Sequence, residues 1–189
     1  MALISGSSLQ STTAAAAQSK SWTLLNTYTV SSGVLSVDID DFSSEYDDYV
    51  IYVDRISSSV LSQDLCMRVN DITATEYSYT INGTGSATYD SRYSAGSSEW
   101  RLSLITPDLP DSNNNNYSSY IIELNNTNDS TTKPHFLIRG TALYSNATYL
   151  SFGGGNLKTP AVAINKINFF METGATINTG QFKIFGIKG

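Results

Sequence analysis

The chain has 189 residues, of which 15 % are charged, and its net charge of -6 leaves only 11 Lys and Arg to face a polyanion. Those basic residues are scattered singly, which argues against a nucleic-acid-binding stripe and against an anionic membrane surface. A single Cys excludes an internal disulfide, and a single His offers no cluster for metal or nucleophilic chemistry. Ser, Thr and Asn supply about a third of the chain, so solubility rests on neutral polar groups.

Residues 1–20 differ from the rest. The segment holds few large apolar groups, cannot bury enough to fold alone, and is expected to form an N-terminal arm, extended or briefly helical at Ala14–Ala17. Leu3, Ile4 and Leu9 are its candidate partner-binding residues. The start Met1-Ala2-Leu3-Ile4-Ser5-Gly6 has no basic n-region, so synthesis in a cytoplasm without a signal peptide is expected. No apolar run is long enough to span a bilayer as a helix.

Residues 21–189 read as strand, turn, strand throughout. Alternation is clear in Trp22–Val30 and Val34–Asp40, with Leu35, Val37 and Ile39 on one face, and Ser31-Ser32-Gly33 reads as a hairpin connection between them. Tyr49–Ile56 follows, then Leu65–Asn70, which places Leu65, Met67 and Val69 inward and Arg68 outward. Weaker strands are predicted at Glu76–Ile81 and Ala87–Ser91, and Glu99–Thr106 alternates Trp100, Leu102 and Leu104 against Arg101, Ser103 and Ile105. Pro107–Asn116 is a loop, as is the polar stretch Asn125–Lys133. Strands at Tyr117–Asn125, Pro134–Leu143, Thr148–Phe152, Ala161–Met171 and Gln181–Lys188 complete the chain. Many short strands between turn signals predict an all-β fold, an antiparallel β-sandwich of jelly-roll type with an extended N-terminal arm.

The motifs give chemistry little purchase. Asp38, Asp40, Asp41, Glu45, Asp47 and Asp48 miss the EF-hand pattern, since Ser43 and Tyr49 stand where Gly and Glu are needed, and they read as a solvated turn. His135 has no G-x-S-x-G elbow to serve. The N-x-[ST] matches, such as Asn82-Gly83-Thr84, are expected by chance in so Asn-rich a chain. No catalytic residue, metal site or cofactor follows. Among the aromatics, Trp22, Trp100, Tyr49 and Tyr120 are expected to fill the sandwich. Tyr77, Tyr79, Tyr89 and Tyr93, set among Ser, Gly and Thr, are the candidates for an exposed contact surface.

Two stretches carry a resemblance. One runs from Trp22 through DDFSSEYDDYVIYVD to Leu65-Cys66-Met67-Arg68-Val69-Asn70, and the other is the ending Thr179-Gly180-Gln181-Phe182-Lys183-Ile184-Phe185-Gly186-Ile187-Lys188. Together they resemble small structural proteins of tailed-bacteriophage virions, in which a Tyr-rich strand and a closing strand of this kind bracket a β-sandwich. The resemblance is specific at its two ends and not between Tyr77 and Asn128. It implies a non-enzymatic virion component, assembled in the host cytoplasm, on the capsid surface or the tail. The expected partners are the major capsid protein, other virion proteins or sister copies in a homo-oligomer such as a trimer. The alternative is a tail-associated module that recognises host glycans through Tyr77–Tyr93 and the two polar loops.

Overall fold

The computed structural model describes residues 21–60, 63–84, 89–103, 117–144, 147–158 and 161–188. Among them run β1 (Ser21–Val30), β2 (Ser36–Ile39), β3 (Asp48–Ser58), β4 (Leu65–Val69), β5 (Tyr77–Thr84) and β6 (Tyr89–Ser97). They are followed by β7 (Trp100–Arg101), β8 (Ser118–Asn125), β9 (His135–Tyr144), β10 (Ala147–Leu157), β11 (Ile167–Met171) and β12 (Ile177–Lys188). Alternation creates these strands: in β8 and in β11 every second side chain is buried and the ones between are half-buried.

All pairings are antiparallel, and they build a β-sandwich. An eight-stranded sheet, ordered β1-β12-β3-β8-β9-β10-β5-β6, faces a four-stranded sheet ordered β2-β11-β4-β7. The pairing is nested: β1 with β12, β2 with β11, β3 with β8, β4 with β7. This is one long hairpin folded over, its successive pairs falling alternately in the two sheets, and β12·β3 and β11·β4 contacts stitch it shut. Two further hairpins, β5–β6 and β9–β10, are inserted into that frame, and both widen the larger sheet.

The core lies between the sheets. Phe169 of β11 meets Phe182 of β12 with ring centroids 5.0 Å apart. Trp100 of β7 contacts Phe136 of β9 at 4.8 Å and Tyr77 of β5 at 5.1 Å, and its Nε1 donates to the Asn156 carbonyl at 3.3 Å. Space for these rings comes partly from Gly155 in β10, where a Cβ would lie 2.7 Å from the Phe136 ring. Burying such side chains contributes about 1.5–3 kcal/mol each.

Several sequence expectations are corrected. Ser31-Ser32-Gly33 does not join a hairpin: β1 and β2 lie in different sheets, and Val34 bridges Ile177 as the chain crosses over. Leu35 falls in the bend before β2 and is exposed, whereas Val37 and Ile39 are buried as expected. Trp22 does not fill the sandwich, being 50 % exposed, while Trp100, Tyr49 and Tyr120 do fill it. Ala161–Lys166 is not strand, and the Glu99–Thr106 strand is the short β7, with Leu104 and Ile105 outside the described residues. The Asn125–Lys133 loop is anchored: Thr127 is buried, and its Oγ1 donates to the Asp47 carbonyl at 2.8 Å. Residues 1–20 and the Pro107–Asn116 loop lie outside the described residues.

Candidate functional site

The two outer faces of the sandwich are chemically unlike. That of the smaller sheet is polar and ion-paired. Arg68 Nη2 reaches Glu99 Oε2 at 3.0 Å while its guanidinium lies 4.3 Å over the Phe170 ring, and Lys166 Nζ sits 3.0 Å from both Asp38 and Asp71.

The larger sheet instead turns large apolar side chains outward. Strand register aligns one row as Leu24, Phe185, Val50, Glu123, Leu137, Gly154, Thr80 and Tyr93. The next row is Thr27, Lys183, Tyr52, Ile121, Arg139, Phe152, Asn82 and Ser91. Leu137 is 53 % exposed, Phe152 48 % and Tyr93 70 %. Near the β1 edge the rings gather: Phe185 lies 6.1 Å from Trp22 and 5.9 Å from Tyr52, and Val50 beside them is buried on this face. Eight strands spaced ~4.8 Å apart make this belt about 34 Å wide. Its central charges, Glu123 and Arg139, neutralise each other at 2.9 Å.

A hollow of about 470 Å³ opens within the belt, lined by Tyr52, Asp54, Ser119, Ile121, Arg139, Thr141 and Leu150 among others. The register explains it. Ser119 and Thr141 are paired short side chains, standing beside the bulkier Tyr52, Ile121, Arg139 and Leu150. Beneath, Gly140 and Tyr120 form the floor. The Ser119 hydroxyl donates to Asp54 at 3.4 Å and accepts the Arg55 amide at 3.1 Å, fixing the polar end.

The structure separates the four predicted contact tyrosines. Tyr77 and Tyr79 are buried, so neither belongs to an exposed surface: the Ser and Thr around them point out while their own rings alternate inward. The Tyr77 hydroxyl accepts the Val69 amide at 3.0 Å and donates to the Ile72 carbonyl at 2.9 Å. Tyr93 is exposed, on the belt. Tyr89 pairs with Thr84 in β6, and its side chain lies outside the described residues, as do Leu3, Ile4 and Leu9. Sequence reasoning missed the belt itself, although a signal was present. Strands such as Tyr49–Val53 and Phe136–Ile138 are apolar at consecutive positions, which a strand buried on one face does not need.

The acidic stretch disperses into separate links. Tyr28 donates to Asp41 Oδ2 at 2.5 Å, Glu45 faces Lys188 at 3.7 Å, and Asp48 Oδ1 accepts the Asn126 amide at 3.3 Å. Among the described residues, no group of three His, Cys, Asp or Glu side chains is placed to hold a metal ion. His135 is half-buried, its Nδ1 3.3 Å from the side-chain Nδ2 of Asn126. One ionic cluster is internal. Asp64, 1 % exposed, pairs with Arg92 from β6 and with Arg101 from β7 at 3.3 Å, and Arg101 also holds Glu172 at 2.5 Å. Desolvation pushes the Asp64 carboxyl up to about 7 against the pull of Arg92, and the neighbouring Glu172 pushes the same way. Burial likewise raises the nearby Cys66 thiol, which removes it as a thiolate nucleophile.

Comparison with protein-family models, curated proteins and solved structures gives no match for this chain.

Proposed function

We propose that this protein is a non-enzymatic structural component of a tailed-phage virion, a capsid decoration or cement protein that binds the outer capsid surface and stabilises it. The observation that carries the reading is the apolar belt on the larger sheet. An exposed apolar surface of this breadth, poor in uncompensated charge, has the character of an interface core. Topology supports it too. The nested order β1-β12-β3-β8 over β2-β11-β4-β7 favours reading the sandwich as a jelly roll with two inserted hairpins, an architecture suited to capsid domains. The inserted hairpins supply Leu137, Leu150, Phe152 and Tyr93 to the belt, beside Leu24, Phe185 and Tyr52 of the frame strands. The partner is the major capsid protein or another virion protein, with sister copies in a homo-oligomer, and residues 1–20 with Leu3, Ile4 and Leu9 form a second attachment point.

The test is co-sedimentation with undecorated capsids, using the full chain, a chain lacking residues 1–20, and the Leu137→Asn/Phe152→Asn double variant. Saturable binding that the double variant loses supports the reading. Equal sedimentation of wild type and double variant, or none by any chain, overturns it.

A second reading rests on the hollow. Tyr52 offers a ring for a sugar face, and Asp54, Ser119, Arg139 and Thr141 offer hydrogen-bonding groups around it, which favours a tail-associated module that binds host glycans. Glycan binding abolished by Tyr52→Ala, without capsid binding by the wild type, would establish that reading over the first.

A further inference from the structure

We infer that the free edge of β1 is a self-pairing site, joining two copies of this chain antiparallel about a two-fold axis. The inference is independent of the virion reading and starts from the contrast between the two edges of the larger sheet. Edge strands present unpaired amide and carbonyl groups, and proteins usually blunt them with charges, proline, glycine or bulges. At one edge, β6 carries Asp90, Arg92 and Gly96, and its register with β5 shifts between Tyr77 and Tyr79. At the other, β1 is ten residues long, SWTLLNTYTV, with no charge, no proline and no glycine. No strand lies beyond it among the described residues. Its one irregularity is a register shift between Leu24 and Asn26, which leaves Ser21–Leu24 a regular segment.

The occupant follows from symmetry. In an antiparallel pair about a two-fold axis, the central residue faces itself, so any charge there would face its own like. A strand without charge meets that requirement wherever the axis falls, and a charged strand meets it only where its charges lie off the axis. Centring the axis on Thr23 sets Trp22 of each copy beside Leu24 of the other. Both side chains are about half exposed on the belt face, and among the described residues no strand lies beyond them. Pairing there makes the belt continuous across both copies and covers the Trp22 and Leu24 flanks that the monomer leaves open.

The test uses charge at the centre. Sedimentation velocity of the full chain, at concentrations up to about 100 µM where a small interface is populated, is expected to show a monomer–dimer equilibrium. Thr23 is exposed, so Thr23→Lys and Thr23→Glu are tolerated by the fold. Each alone should weaken dimerisation at least about tenfold by setting like charges opposite. Mixing the two variants should restore a dimer, a result that mere loss of folding cannot produce. Circular dichroism of each variant confirms the sandwich. A wild type that stays monomeric overturns the inference. So do single variants that dimerise as the wild type does, or a mixture that remains monomeric while both variants are folded.

Discussion

Gly140 lies beneath the ring of Tyr120. A Cβ built at Gly140 would come 2.2 Å from Tyr120 Cδ1 and 2.5 Å from the Ser119 carbonyl oxygen. The strand pairing sets the two residues opposite each other on β9 and β8, so neither can step aside without breaking register. Tyr120 is buried and belongs to the core cluster, which makes the glycine a requirement of packing and not of turn geometry. Gly140→Ala should therefore destabilise the fold by about 3 kcal/mol, the upper part of the range for overpacking. Urea denaturation monitored by tryptophan fluorescence reads it, and a change under about 0.5 kcal/mol would mean that the ring and strand relax freely.

Cys66 offers a reporter of global opening. It stands in β4 with no exposed surface, and burial raises its thiol, so the reactive thiolate is scarce even when reached. The chain has no other Cys. Reaction with an aromatic disulfide reagent should be slow in native buffer and accelerate with urea in step with unfolding. Rapid labelling of the native protein would show that β4 opens locally, apart from the rest of the sandwich.

The exposed belt should be visible to a hydrophobic dye before any partner is known. Leu137 and Phe152 project from β9 and β10 outside the core, so replacing both by Asn should cost little stability, about 1 kcal/mol at most. Binding of anilinonaphthalene sulfonate to the native protein should fall in the double variant while its urea midpoint stays close to wild type. Unchanged dye binding would place the apolar surface that the dye senses elsewhere.

The parts of this fold legible in the sequence are those set by local alternation. Leu65, Met67 and Val69 against Arg68 were readable because the alternation sets three apolar side chains on the core face and half-buried Arg68 on the other, although Cys66 on that other face is buried as well. The partners of strands were not readable. β1 runs into a Ser-Ser-Gly turn that suggests a hairpin, yet its partner β12 lies some 150 residues away, and nothing near the turn encodes that pairing. The tyrosines of β5 misled for a related reason: neighbours in sequence are not neighbours in space on a strand, so Ser78 and Thr80 describe the opposite face from Tyr77 and Tyr79. The belt escaped because a consecutive apolar run such as Tyr49–Val53 does not say which of its two faces turns outward. Asp64 escaped because its partners Arg92, Arg101 and Glu172 come from three separate segments.

That buried aspartate gives stability a pH dependence of unusual sign. The unfolded carboxyl titrates near its ordinary value of 3.8, whereas the folded one is raised to about 7, chiefly by desolvation. Between those values folding takes up a proton, so the contribution is fully present below about 4 and is lost as pH rises through 7. Arg92, Arg101 and Glu172 face the group: the two guanidinium groups pull its carboxyl down and Glu172 pushes it up, and desolvation outweighs the pull. Carboxylates held low act elsewhere on the scale. Asp129, drawn down to about 2 by the Thr131 hydroxyl first and then by other hydrogen bonds of that turn, contributes stability that is lost only below pH 4. Thermal midpoints measured from pH 4.5 to 7.5 should accordingly fall with rising pH in the wild type. In Asp64→Asn the same series should flatten, whatever the offset between the two proteins, because the titrating group is gone while Arg101 keeps Glu172. Parallel slopes for the two proteins would remove Asp64 as the source and leave the pH dependence to the surface carboxylates.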